Sequence, residues 1–142
     1  MNDTLRDGSI LGIDPGTRKT GYAIIGTDGS TLVLGIEETE AIGVRVSELV
    51  KMHTIVEIAL GEGTNATAVG AALASLGLPI HLVDERSTSL QARGLYFADN
   101  PPRGWRRLIP LGLQLPPRPI DDYAAVLIAR RFLASRDLEE AS

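Results

Sequence analysis

Apolar positions come in short runs over the first third of the chain and at helical spacing later. Ile10 to Ile13 is an apolar run ended by Asp14, Pro15-Gly16 turns the chain, and Thr20 to Ile25 follows as a second β-rich run. Thr27-Asp28-Gly29-Ser30 is another turn signal, and Thr31 to Ile36 reads as a third strand. Three strands joined by short turns predict an antiparallel meander, with Gly26 and Gly35 at strand ends or bulges. Between Val44 and Met52 the period lengthens, and Val46, Leu49 and Val50 share a helical face. Thr54 to Leu60 is a buried strand broken by Gly61-Glu62-Gly63-Thr64-Asn65, where Thr64 or Asn65 can cap a helix over 66–76. Gly77 and Pro79 stop that helix. Ile80 to Val83 is expected as a short buried strand delivering Asp84-Glu85-Arg86, and Ser87 or Thr88 opens a helix to about Ala98. The last helix begins near Asp121 and runs to about Ser135, with Ala125, Ile128, Ala129 and Phe132 on one face.

From Asp99 to Pro119 no period holds, and six of the 8 prolines fall there, which excludes a packed helix over most of the stretch. Because Trp105, Leu108, Ile109, Leu111, Leu113 and Leu115 are poorly suited to water, an ordered loop laid over the domain or closing on a ligand is expected. At 142 residues, without repeat or linker, the chain is expected to form one domain, 1–142, with 1–8 as a loose tail. No apolar run reaches the length of a membrane span, and Met1 to Ser9 lacks the apolar core of a signal peptide. With no cysteine, disulfides and thiolate metal sites are excluded, and a cytoplasmic location is the expectation.

Charge is segregated beneath a modest net value of −4. Residues 1–85 hold 5 basic and 12 acidic side chains, residues 86–136 hold 9 and 3, and the last six residues hold 3 acids. A basic segment on an acidic chain points to a polyanion, against the plainer alternative of a solvated basic face. Arg18, Lys19, Arg86, Arg93, Arg103, Arg106 and Arg107 are candidates to meet phosphates, and Trp105 to stack on an unpaired base or to pack in the core.

Acidic residues Asp14, Glu62, Glu85 and Asp121 fall at ends of elements rather than along helix faces, with Asp84 and Asp122 adjacent to two of them. Each has a plain reading: Asp14 starts a turn, Asp121 or Asp122 caps a helix, Glu62 is a loop residue, and Glu85 pairs with Arg86 on the surface. Together they say more. A final helix packed on a mixed sheet brings Asp121, one turn before Ala125, toward the sheet edge that carries the other acids. Clustered carboxylates repel one another unless a hard cation such as Mg²⁺ or Mn²⁺ sits among them, and such ions can orient water for phosphodiester cleavage.

Gly12-Ile13-Asp14-Pro15-Gly16-Thr17 with Gly21-Tyr22-Ala23, then Asp84-Glu85-Arg86-Ser87-Thr88, then Asp121-Asp122-Tyr123-Ala124-Ala125 resemble the YqgF family, also called RuvX, which is similar to the resolvase RuvC. The match spans nearly the whole chain in the family's motif order. The resemblance implies an α/β RNase H-like fold, with a mixed five-stranded sheet whose first three strands are antiparallel, flanked by helices. It implies a metal-dependent nuclease acting on structured nucleic acid, processing the small-subunit ribosomal RNA precursor or, alternatively, resolving Holliday junctions. By position Asp14, Glu85 and Asp121 match the family's carboxylates, with Asp122 a near tie. Where the family continues into Leu-Pro and an Asn-rich loop, this chain reads Leu60-Gly61-Glu62-Gly63, which makes Glu62 a rival to Glu85 as second metal ligand. Either a monomer or a homodimer is compatible with nuclease action, and junction resolution implies the dimer. Gly-Ile-Asp-Pro-Gly-Thr also looks like the first phosphate loop of actin-like ATPases and sugar kinases, but those need two related domains. A non-catalytic nucleic-acid-binding module is the remaining alternative.

Overall fold

Five strands run β1 (Ser9–Asp14), β2 (Lys19–Ile25), β3 (Thr31–Glu38), β4 (Ile55–Gly61) and β5 (Ile80–Val83), and pair side by side in the order β3-β2-β1-β4-β5. This computed structural model describes residues 8–63, 65–84, 88–104, 108, 116 and 119–141, with backbone alone for 88–90 and 137–141. The first three strands are antiparallel, while β4 lies parallel to β1 and β5 parallel to β4. The β2–β3 turn forms because Asp28 Oδ1 accepts from both the Ser30 amide (3.0 Å) and the Ser30 hydroxyl (2.7 Å) while Gly29 takes φ +85°. Helix α1 (Ile42–Met52) lies between β3 and β4 and α2 (Ala66–Leu73) between β4 and β5, while α3 (Thr88–Asp99) and α4 (Asp121–Ala141) follow β5.

Strand alternation sorts the core into two layers. Leu11, Ile13, Tyr22, Ile24, Ile58 and Leu60 face Val46 and Leu49 of α1 and Val69 and Leu73 of α2. Ile10, Ala23, Ile25 and Ala59 face Ala125, Val126, Ile128 and Ala129 of α4 on the other side. Small residues on that second face let α4 lie against the sheet. A Cβ on Gly12 would come within 2.2 Å of the Ala125 carbonyl oxygen, and one on Gly21 within 2.0 Å of the Asp121 carbonyl oxygen. α3 covers the flank of α4 through Ala92, Tyr96 and Phe97, which pack on Tyr123 and Ala124.

Four expectations change. β5 is an edge strand, with Leu82 61% exposed, because a short apolar run reads alike whether its strand is central or at an edge. Asn65 stands at the N-cap position of α2 but makes no cap bond; its side-chain amide donates to the Gly16 carbonyl instead, 3.0 Å. α4 continues to Ala141, since the sequence Arg-Asp-Leu-Glu-Glu-Ala over 136–141 carries no apolar period to read, and Arg136 ties the helix to Glu57. Leu108 is 81% exposed rather than laid on the domain; Trp105, Ile109, Leu111, Leu113 and Leu115 lie outside the described residues.

Candidate active site

The C-terminal edge of the parallel strands gathers the acids. Ile13 is level with Leu60, and Gly61 with Val83, so Asp14, Glu62 and Asp84 follow one another along the ends of β1, β4 and β5. The Glu62 amide closes this edge by donating to the Val83 carbonyl, 2.9 Å. Alternation puts Asp14 on the face of Gly12, toward α4.

Asp14 pairs across the hairpin with Gly21, and Gly21 is where α4 begins its contact with the sheet. The Cβ of Asp121 lies 2.7 Å from where a Gly21 Cβ would stand. Directly opposed residues of an antiparallel pair hold their Cβ positions about 5 Å apart. A bare glycine thus lets the first residue of the last helix settle beside the strand-end aspartate.

Asp14 and Asp121 are half-buried, and Asp122 is buried with its Oδ1 accepting from the Tyr123 amide, 3.0 Å. Burial first, and the Asp122 charge second, raise the Asp121 carboxyl above the ordinary carboxylate value. Tyr123 braces this corner by donating its hydroxyl to Asp99 Oδ2 at the end of α3, 2.9 Å. Burial, and then the Asp99 hydrogen bond, raise the pKa of that hydroxyl, which keeps it a donor.

Glu62 is exposed and lines a groove of about 360 Å³ with Leu60, Ala66, Thr67, Gly70 and Leu82. That groove lies beneath α2, on the face of the sheet opposite Asp14. Glu85, Arg86, Trp105, Arg106 and Arg107 lie outside the described residues. Of the other predicted phosphate contacts, Arg18, Lys19 and Arg103 are exposed and Arg93 is half-buried on α3. Among the described residues no group of three or more His, Asp or Glu comes close enough to hold a metal ion. The donor set at the edge is nevertheless carboxylate oxygen, half-buried at Asp14 and Asp121 and buried at Asp122, with the Asp122 charge acting on Asp121, which is chemistry that fits a hard divalent cation.

The turn after Asp14 is held by residues with no motif around them. The Gly16 carbonyl accepts from the Thr39 hydroxyl (2.8 Å) and from Asn65 Nδ2 (3.0 Å), while the Gly16 amide points at Thr20 Oγ1 (3.4 Å). Thr20 Oγ1 and Thr39 Oγ1 are 2.8 Å apart, and Thr20 is fully buried. A buried threonine within a strand is a faint sequence signal for such a network; Thr39 carries none, because its partners are 19 and 23 residues away.

No protein-family model matches the chain. A protein of Pelotomaculum thermopropionicum is 33% identical over 144 residues, spanning 89% of this chain and 87% of its own length. One of Azotobacter vinelandii is 29% identical, spanning 89% and 94%, and one of Streptococcus pyogenes serotype M2 is 31% identical, spanning 87% and 96%. All three bear the name "Putative pre-16S rRNA nuclease". Among solved structures, RuvC of Thermus thermophilus in complex with a Holliday junction substrate superposes with a TM-score of 0.59 at 18% identity, over 91% of this chain and 95% of that one. The same RuvC in a second structure gives 0.57 at 17% identity, over 91% and 96%. With this fold, and with a third of its residues shared with a relative along nearly its whole length, the chain belongs to the YqgF family and carries its RNase H-like fold.

Proposed function

We propose that the chain is a single-domain, metal-dependent endonuclease that hydrolyses phosphodiester bonds in structured nucleic acid, and that its substrate is the precursor of 16S ribosomal RNA. The observation that carries this reading is the convergence of Asp14 and Asp121 across the bare backbone of Gly21 at the strand-end edge. Asp14 and Asp121 stand half-buried about one bare backbone position, and Asp121 is raised in pKa by burial and by Asp122, surroundings that a bound cation would relieve. Asp14, Asp121 and Glu85 are the residues assigned to hold Mg²⁺ or Mn²⁺, with Asp122 behind Asp121 and Glu62 as the alternative to Glu85. When bound, the ion supplies an activated water and charge compensation at the leaving oxygen. Hydrolysis forms one bond from phosphorus to the water oxygen and breaks one to the leaving oxygen, which takes a proton. Around that step the chain's own residues bind and orient. Arg18 and Lys19 stand in the turn leaving Asp14, so a phosphate drawn toward the acids meets positive charge first. Arg93, Arg103 and the basic stretch with Arg86, Arg106, Arg107 and Trp105 extend the contact along the substrate. Such a substrate places the work in the cytoplasm.

A second reading, resolution of Holliday junctions, is favoured by one observation: the fold is that of RuvC, one of whose structures holds a junction substrate. Two opposed strands are cut in that reaction, so it calls for a homodimer. The deciding experiment offers precursor-rRNA fragments and four-way DNA junctions to wild type and Asp14→Asn, with Mg²⁺, with Mn²⁺ and with chelator. Metal-dependent cleavage of the RNA, lost in Asp14→Asn while the RNA is still bound, is the expected result. Cleavage that survives the substitution removes Asp14 from the mechanism. Junctions cut by a dimer in preference to RNA would replace the first reading by the second.

A further inference from the structure

Between Asp14 and the exposed Thr17-Arg18-Lys19 stands Gly16, and three separate elements converge on it. Thr20 comes from the start of β2, Thr39 from the turn that follows β3, and Asn65 from the start of α2. The Gly16 carbonyl can only accept, so the Thr39 hydroxyl proton points to it. Thr39 Oγ1 then accepts from the Thr20 hydroxyl, and Thr20 Oγ1 accepts from the Gly16 amide. The result is a closed ring of one sense in which each bond polarises the next. Two further bonds lock it: Asn65 reaches the same carbonyl, and the Thr39 amide donates to the Arg18 carbonyl, 2.9 Å. A Cβ on Gly16 would stand 2.1 Å from the Lys19 carbonyl oxygen, so only glycine lets the turn close this tightly.

Thr17 to Lys19 are exposed, whereas Gly16, Thr39 and Asn65 are half-buried and Thr20 is fully buried, so the ring both satisfies the buried Thr20 hydroxyl and ties the exposed tip to the domain. What it fixes is the base of a cationic tip. Arg18 and Lys19 are exposed, and among the described residues neither side chain has a hydrogen-bond or ion-pair partner. Lys19 is level with Glu38 in the β2–β3 ladder, whereas Arg18 precedes the ladder and, among the described residues, has no acid opposite it.

We propose that Thr39 and Asn65 are positioning residues: through Gly16 and Arg18 they hold the turn after Asp14 so that the Arg18 guanidinium meets a backbone phosphate of bound nucleic acid beside the carboxylates. This rests on the reading of the protein as a nuclease. Arg18 is the contact; Thr39 and Asn65 set where it stands.

The test measures Kd for a hairpin RNA and for a four-way DNA junction across a salt series, using the full chain as wild type, Thr39→Val, Thr39→Ser, Asn65→Ala, Arg18→Ala and Thr39→Val/Arg18→Ala. Thr39→Val keeps the shape and removes the hydroxyl. It is expected to weaken binding about 5–10-fold at moderate salt and to flatten the slope of log K on log salt by about 0.9, as losing one phosphate contact would. Thr39→Ser should restore both, Asn65→Ala should show part of the same change, and adding Thr39→Val to Arg18→Ala should cost nothing further. In cleavage the loss should fall on KM, with kcat within about twofold. A Thr39→Val that melts lower yet keeps the wild-type slope, or that adds its full loss to Arg18→Ala, overturns the proposal and leaves the ring a matter of fold alone. Should Thr39→Val not fold, Asn65→Ala with an unchanged slope has the same force. Wild type that binds neither probe overturns the nuclease reading and this inference with it.

Discussion

Asp121 is held in the folded chain where its charged form is disfavoured, first by burial and then by Asp122. For a carboxyl whose folded-state pKa lies above its unfolded value, stability is fullest below the unfolded pKa. It falls as the pH rises through the folded pKa, and the loss persists to neutrality. Asp121→Asn keeps a polar side chain at the helix start and removes that cost. Because Asp121 is half exposed, water screens much of the effect, and a rise in Tm of about 1–3 °C at neutral pH is expected, with none at pH 3. Cleavage should meanwhile fall more than about 100-fold, as for loss of a metal-holding group. Thermal melts at the two pH values with one activity assay check this; a lower Tm at neutral pH would make Asp121 a fold-holding residue. Asp122→Asn removes the second cause, so the acid limb of the activity profile should move to lower pH while the neutral-pH rate changes less than in Asp121→Asn. Asp14 was legible in the sequence because an acid that ends an apolar run sits at a strand end whatever the fold. The face on which Glu62 lies was not, since Gly61 and Gly63 let the chain leave β4 in more than one direction.

Two glycines decide how close α4 comes to the sheet. Neither Gly12 nor Gly21 has positive φ, so what they supply is the absence of a side chain beneath a helix. Gly12→Ala sets a Cβ 2.2 Å from the Ala125 carbonyl oxygen, and Gly21→Ala sets one 2.0 Å from that of Asp121; these contacts are with backbone and cannot be relieved by a rotamer change. Each substitution is expected to cost about 1–3 kcal/mol, the range for overpacking. They should differ in function. Gly21→Ala moves the helix start that carries Asp121 and should lose most of the activity in the molecules that remain folded, whereas Gly12→Ala acts one to two turns further along. Gly94 is the contrast: on α3, with φ outside the positive region and, among the described residues, no neighbouring atom within 4 Å of a built Cβ, Gly94→Ala should stabilise by about 0.5–1 kcal/mol. Denaturant midpoints of the three variants, with activity per folded molecule, check the argument. A Gly21→Ala protein as active as wild type would break the link between helix approach and the site. Periodicity located the elements to within about two residues except at the end of α4, expected near Ser135 and found at Ala141, because both 2.0 and 3.6 periods are local properties. How near one element lies to another depends on which positions are bare. A glycine in a strand pattern says only that something approaches closely, not what.

Across the whole molecule the charge pattern narrows once the structure assigns partners. Residues 86–136 carry nine basic side chains, and by sequence alone such a segment points to a polyanion-binding surface or to a solvated basic face. Arg130, Arg131 and Arg136 leave that surface: Arg130 Nε donates to the Gly29 carbonyl at 3.0 Å, Arg131 Nη1 to the Asp84 carbonyl at 2.6 Å, and Arg136 pairs with Glu57, which His81 also meets at 3.0 Å. They fasten α4 to the β2–β3 turn and to the β4–β5 edge. Of the cations that face solvent, Arg18 and Lys19 follow Asp14 in the chain, outside that segment, and Arg103 lies within it. Phosphate binding should therefore follow the second group and not the first. Arg18→Ala and Arg103→Ala are each expected to flatten the salt slope of nucleic-acid affinity by about 0.7–0.9, and to weaken binding without regard to sequence. Arg131→Ala and Arg136→Ala should leave the slope at the wild-type value. Arg136→Ala should instead lower Tm, since it leaves the mostly buried Glu57 carboxylate with His81 as its remaining partner. A salt titration of the four variants against one hairpin RNA, paired with thermal melts, separates the two groups. Slopes that fell for Arg131→Ala and Arg136→Ala as well would mean that nucleic acid draws these arginines away from their protein partners, and that α4 itself is part of the binding surface.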